Sequence, residues 1–275
     1  MLAKTANSVI SGDYSNYDGT IPKFVGEKVL EFINQWYDDD PKYQRARKVL
    51  FDNIYDAKYV FGNDVYEIKD GNPSGNPITS IYNSLCNMVI LYSVLYDKVD
   101  MQQTSFAVYG DDAVVTTMTP GIEVETLAEP IKTYFGMLFT HWTKKEVIGR
   151  PPDTLDTISF LSRQFVRGPY NLILAPLPLD TICHSTYWYK KNGPNLYAVM
   201  ISTARSFFIE LSHYPNEVYN DIAAKFLEAL KEELEDDQIE VFRIIVGLNL
   251  GVNYYRHQMY NLGNIRLEYS YHNSY

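Results

Sequence analysis

The stretch SFAVYGDDAVVTTM, residues 105–118, sets two adjacent carboxylates, Asp111 and Asp112, between two runs of apolar and β-branched residues. Two β-prone runs joined through Gly110-Asp111 predict a tight hairpin, because Gly at the first central position suits a type II′ turn whose twist fits the flanking strands. The aspartates then project from the hairpin tip. Two carboxylates so close raise one another's pKa unless a cation or water lies between them. Taken alone, the tetrapeptide reads as a solvated turn, since Asp is a common turn residue.

Working outward, the chain is mixed α and β and then largely helical. TANSVISGDY reads as a short strand ending near Asp13, followed by a polar turn. Pro22 is placed to start a helix over KFVGEKVLEFINQWY, and a second helix is expected at roughly 42–60. DGNPSGNPITS is a Gly/Pro loop in which Asn76 can cap, and Pro77 can open, the long apolar helix that follows. After the hairpin come a helix over VETLAEPIKTYFGML, which Pro130 could interrupt, and a strand-like TISFLSRQFV. NLYAVMISTARSFFIEL, NEVYNDIAAKFLEALKEELE and QIEVFRIIVGL carry helical periodicity, EELEDD (232–237) reads as a solvated helix end, and the Tyr/Asn-rich C-terminal stretch takes no assignment. A boundary near Gly168-Pro169 divides the chain into 1–168 and 169–275.

Composition narrows the class. With 46% hydrophobic and 21% charged residues the 275-residue chain is a folded globular protein. It has no apolar run long enough for a membrane span and no signal-peptide pattern at its start, so it is expected to be soluble. Cys86 and Cys183 suggest core thiols rather than a disulfide framework. The five histidines show no ligand spacing, and Trp36, Trp142 and Trp188 are expected in the core or at a domain contact. A formal charge of -10 is awkward for a nucleic-acid binder, which draws on Lys and Arg.

Carboxylates far apart in sequence could meet. Asp13 at a strand end and Asp111 at a hairpin tip share a cleft if their strands are sheet neighbours. Asp13, Asp111 and Asp112 would then form a cluster suited to hard divalent cations such as magnesium. Thr79, Asn83 and Asn87 recur every four residues on one stripe of an apolar helix, a pattern that fits a solvated stripe or back-bonding as well as a ligand site. Ser74 and Gly75 could bring backbone close to a ligand.

In order, these pieces resemble the signature blocks of RNA-dependent RNA polymerases of picorna-like positive-strand RNA viruses. DYSNYDGT (Asp13, Asp18) is similar to the first palm block, GNPSGNPITSIYN (Ser74, Gly75, Thr79, Asn83) to the second, and YGDD (109–112) to the third. Lys144-Lys145 fall where the fourth block carries a lysine, and FLSR (160–163) resembles the fifth. The blocks agree in order and separation over about 155 residues of the chain. The resemblance implies an α+β right-hand fold: a palm of antiparallel sheet on helices, then a mainly helical thumb. By it, Asp13 and Asp111 hold two magnesium ions (manganese as substitute), supported by Asp112. Asp18 and Asn83, helped by Ser74, Gly75 and Thr79, read the ribose 2′-hydroxyl of the NTP. Lys145, with Lys144 adjacent, donates a proton to pyrophosphate, and Phe160, Leu161, Ser162 and Arg163 grip the nascent strand, with Ser162 where the family carries lysine. The implied reaction is template-directed attack of a primer 3′-hydroxyl on an NTP. Implied partners are RNA template and primer, a fingers region of the same polyprotein and other replication proteins, in membrane-associated complexes of the host cytoplasm. Because the first block starts at Asp13, nearly all of the basic fingers is expected to be missing, and little activity is expected from these residues alone. A reverse transcriptase and an inactive structural or interaction fragment are the alternatives; the ribose-reading pair Asp18 and Asn83 counts against the first.

Overall fold

The computed structural model describes residues 6–68, 70–143, 151–168, 173–188, 196–232 and 234–259. The chain divides into two compact units, residues 1–161 and 162–275. The division thus comes a few residues before the Gly168-Pro169 step.

In the first unit, β1 (Ser8–Tyr14) leads into a one-turn helix, α1 (Tyr17–Thr20), and then α2 (Lys23–Tyr37) and α3 (Pro41–Tyr55). The second helix is shorter than periodicity suggested, because β2 (Ala57–Phe61) and β3 (Asp64–Ile68) form a hairpin in its place. Its two-residue Gly62-Asn63 loop, with Gly62 at φ 63°, favours a sharp reversal over another helical turn. The apolar helix is α4 (Thr79–Leu95). Asn76 lies ahead of it rather than at its N-cap: its side chain accepts from the Ile78 N–H, and Pro77 stays outside the helix.

The hairpin β4 (Thr104–Tyr109) and β5 (Asp112–Thr117) is followed by α5 (Val124–Phe135) and β6 (Phe139–His141). Pro130 does not interrupt α5. Burying Leu127 and Ile131 on either side of it offsets the one lost backbone hydrogen bond. Antiparallel pairing gives a sheet in the order β4-β5-β1-β6. One face packs on α2, α4 and α5, burying Ile10, Tyr14, Val25, Cys86, Ile90 and Leu127. Gly12 is required there because a Cβ would sit 2.0 Å from the Phe139 ring.

The expected single strand over 157–166 is broken into two-residue pieces at Ser159–Phe160, Arg163–Gln164 and Val166–Arg167. Leu161 and Ser162 both adopt positive φ, which no continuous strand allows. The second unit is mainly helical: α6 (Leu179–Ser185), α7 (Leu196–Leu211), α8 (Asn216–Leu230), α9 (Asp236–Val246) and α10 (Gly251–Met259). Its core is aromatic, with Phe208, Tyr219, Phe242 and Tyr255 buried together. α10 falls in the stretch to which periodicity assigned nothing. Asp236 and Asp237 begin α9 rather than ending a helix, where carboxylates complement the positive end of the helix dipole. Trp36 and Trp188 are exposed at 76% and 82%, not in the core. No described helix is long and apolar enough to cross a membrane.

Candidate active site

The hairpin turn is built as its sequence demands. Tyr109 pairs with Asp112, leaving Gly110 and Asp111 as a two-residue loop. Only Gly110 of the two has positive φ, 61°, the pattern of a type II′ turn. Asp111 is exposed, and Asp112, the first residue of β5, is partly so.

Strand register decides where Asp13 lies. β1 pairs with β5 through Ser11↔Val114 and Gly12↔Ala113, so one further step sets Asp13 across from Asp112. Directly opposed residues of an antiparallel pair project to the same face. Ile10, Gly12 and Tyr14 face the helices, so Asp13 and Asp112 stand on the opposite face, beside the Asp111 turn. On the other side Asp13 pairs with Thr140 of β6. Among the described residues no group of three or more His, Cys, Asp or Glu is gathered to hold a metal. The expected three-carboxylate cluster is thus two cross-strand carboxylates and one at a turn, not a closed cage.

α4 holds this turn from below. Asn87, fully buried, donates from Nδ2 to the carbonyls of Gly110 (3.0 Å) and Asp111 (3.1 Å), and its Oδ1 accepts from the Tyr14 hydroxyl at 3.1 Å. The Gly110 N–H donates to Ser84 Oγ at 2.8 Å. The turn is therefore tied by its backbone, through Asn87 and Ser84. Burial pushes the Tyr14 and Tyr17 hydroxyls well above the ordinary tyrosine range, so both act as fixed donors.

One helical turn earlier, about 6 Å along the axis, Asn83 organises a second cluster. Its Nδ2 donates to Asp18 Oδ1 at 2.5 Å, and the Ser74 hydroxyl donates to Asp18 Oδ2. Asn83 Oδ1 accepts from Asn72 Nδ2 at 2.8 Å, and Asn72 Oδ1 accepts from Asn76 Nδ2 at 3.1 Å. The backbone draws the loop in: the Asn72 N–H donates to the Asp18 carbonyl at 2.6 Å and the Gly71 N–H to that of Ile21 at 2.9 Å. Gly71, at φ 88°, has no room for a Cβ, which would lie 2.6 Å from the Asp18 carbonyl oxygen.

The structure thus brings together Asp18, Ser74 and Asn83, and on the same helix ties Asn87 to the Asp111 turn. Thr79 turns its hydroxyl inward to the carbonyls of Asn76 (2.7 Å) and Pro73 (3.2 Å), and Gly75 has open space around it. Phe160 lies in a two-residue strand and Leu161 ends the first unit. Ser162 begins the second unit, where Arg163 makes a two-pronged ion pair with Glu210 (2.7 and 2.8 Å) and donates to the Ala175 carbonyl. Lys144 and Lys145 lie outside the described residues. His141 bridges Thr143 and Asp153 at 2.7 and 2.9 Å, a structural engagement. Sequence reading missed Asn72, whose only signal was an amide within the Gly/Pro loop.

A family model described as viral RNA-dependent RNA polymerase matches residues 1–262. Among curated proteins, the replicase polyprotein of Acute bee paralysis virus is 29% identical over 202 residues, 66% of this chain and 10% of that polyprotein. The genome polyprotein of Ljunganvirus 1 is 26% identical over 240 residues, 85% of this chain and 10% of its own length. The chain therefore spans about a tenth of these relatives. Among solved structures, the Sicinivirus 3Dpol RNA dependent RNA polymerase superposes with a TM-score of 0.70 at 23% identity, covering 88% of this chain and 52% of that one.

Proposed function

The chain belongs to the viral RNA-dependent RNA polymerases, and from that premise we propose that it supplies the palm and thumb of an enzyme that transfers nucleotides from NTPs to an RNA primer on an RNA template. The observation that carries the reading is the β1/β5 register, which sets Asp13 across from Asp112 beside the Asp111 turn on the face of the sheet turned away from the core helices.

This donor set suits magnesium. That ion binds through one or two carboxylates and completes its shell with water and substrate phosphates, so no all-protein cage is required. Asp13 and Asp111 would hold the ions, with Asp112 supporting them and manganese an acceptable substitute. Once bound, the ions supply activation of the primer 3′-hydroxyl and neutralisation of phosphate charge. The chain's own residues do the rest. Asp18, an acceptor on both oxygens, and Asn83 orient the ribose through its 2′-hydroxyl, with Ser74 steadying Asp18; Thr79 and Gly75 shape the loop that carries Ser74. Lys145, with Lys144 beside it, would protonate the leaving pyrophosphate. Phe160 to Arg163 would follow the nascent strand, where Arg163 would have to exchange Glu210 for a phosphate. RNA template and primer, the remainder of the polyprotein and other replication proteins are the partners, in replication complexes of the host cytoplasm.

Primer extension by the complete polymerase tests this. Asp111→Ala and Asp13→Ala are expected to lower the rate by at least about a hundredfold with RNA binding retained. Undiminished extension by either variant would overturn the assignment. Preference for dNTPs over NTPs would favour a reverse transcriptase.

A further inference from the structure

The hydrogen bonds around Asp18 run in one direction only, and that direction originates in the Gly/Pro loop. A carboxylate can only accept, so it fixes which end of each neighbouring amide faces it. Asp18 accepts from Asn83 Nδ2, which turns Asn83 Oδ1 toward Asn72; that oxygen accepts from Asn72 Nδ2, and Asn72 Oδ1 accepts from Asn76 Nδ2. Asn76 Oδ1 in turn accepts from the Ile78 N–H at 3.2 Å. Asn72 and Asn83 are each 3% exposed, so water cannot readily replace a partner that turns the wrong way.

We propose that Asn72 and Asn76 are positioning residues for sugar selection: they lock the amide of Asn83 so that its NH₂ group faces Asp18, and so set discrimination between NTPs and dNTPs without touching the nucleotide. The inference rests on the reading of Asp18 and Asn83 as the ribose-sensing pair. Its energetic basis is the asymmetry between a satisfied and an orphaned buried polar group. A flipped Asn83 would set its carbonyl oxygen against the Asp18 carboxylate and its NH₂ group against that of Asn72. Both arrangements are repulsive, so one orientation dominates while the relay is intact.

Asn76→Asp tests the polarity with little steric change. The introduced carboxylate keeps the acceptor for Ile78 but presents oxygen, not NH₂, to Asn72. Asn72 then turns its NH₂ group toward that carboxylate and its oxygen toward Asn83, so Asn83 meets an acceptor on both sides, from Asn72 and from Asp18, and neither orientation of its amide is fully satisfied. Extension by the complete polymerase is measured with each NTP and the matching dNTP, beside Asn72→Asp and Asp111→Ala. The expected result is a fall of roughly tenfold or more in the NTP-over-dNTP ratio of kcat/KM, carried by dNTPs gaining or NTPs losing in KM, with thermal midpoints near the parent's. A ratio unchanged in Asn76→Asp, with the protein folded, overturns the relay. If Asn72→Asp fails to fold, Asn76→Asp alone decides, since Asn76 is only partly buried. Full activity in Asp111→Ala would instead sink the polymerase reading, an outcome separable from an unchanged sugar ratio.

Discussion

Asn87 shows how one buried side chain can fix a turn through its backbone alone. With both NH₂ hydrogens on the turn carbonyls and its oxygen on Tyr14, it is fully used and fully buried. Replacement by Asp would set acceptor against acceptor at Gly110 and Asp111. The expected cost is about 1–3 kcal/mol of stability per orphaned group, with kcat lowered for NTPs and dNTPs alike and their ratio kept. That pattern is opposite to the one expected of Asn76, so steady-state kinetics on the two variants separates a turn clamp from a sugar-sensing relay; a changed ratio in Asn87→Asp would refute the distinction. Residues of this kind are only partly legible in sequence. Asp13, Asp18, Asn83 and the GDD turn were singled out by the resemblance of their blocks, taken in order, to polymerase signatures, since each block alone reads as an ordinary turn or stripe. Asn87 was visible as one of a helical stripe, but nothing local separates a turn clamp from a solvated amide. Asn72 gave no signal beyond an amide in the Gly/Pro loop, because its partner is brought in by a positive-φ bend at Gly71 that periodicity does not encode.

At the scale of elements, what was legible followed from local signals. Helices α2, α7, α8 and α9 were placed by periodicity, α4 by the length of its apolar run, and the β4/β5 hairpin by its glycine. The misses have tertiary causes. β6 is three residues long and exists because β1 offers it an edge, and the β2/β3 hairpin displaced a helix end through a Gly-Asn turn that periodicity outweighed. The β1/β6 junction carries its own prediction. Gly12 lies under the Phe139 ring, itself packed on Tyr14 at a centroid distance of 4.8 Å. Gly12→Ala should destabilise the fold by about 1–3 kcal/mol, seen as a lower denaturant midpoint, and adding Phe139→Leu should recover part of that loss. Additive losses in the double variant would show that the ring is not the obstacle.

For the whole molecule, charge decides what these residues can do unaided. The chain carries 24 Lys and Arg against 34 Asp and Glu. Several of its arginines are already engaged: Arg47 on Asp39, Arg163 on Glu210, Arg205 on the Ile245 carbonyl and Arg256 on the carbonyls of Ser212 and Tyr214. RNA affinity is dominated by phosphate contacts that release counterions. An acidic surface on which several guanidinium groups already hold partners within the chain has fewer such contacts to offer. The residues that fix the chemistry and those that hold the nucleic acid therefore need not lie on the same part of the polymerase, of which this chain spans about half when set against the solved relative. The expectation is that the 275-residue chain alone binds single-stranded RNA no more tightly than roughly 10⁻⁴ M at physiological salt, and extends a primer weakly or not at all. Fluorescence anisotropy across a salt series, with extension assays in parallel, measures both. Tight binding with a steep salt slope, together with robust extension abolished by Asp111→Ala, would show that these residues carry a working RNA channel and that net charge misjudges the surface around it.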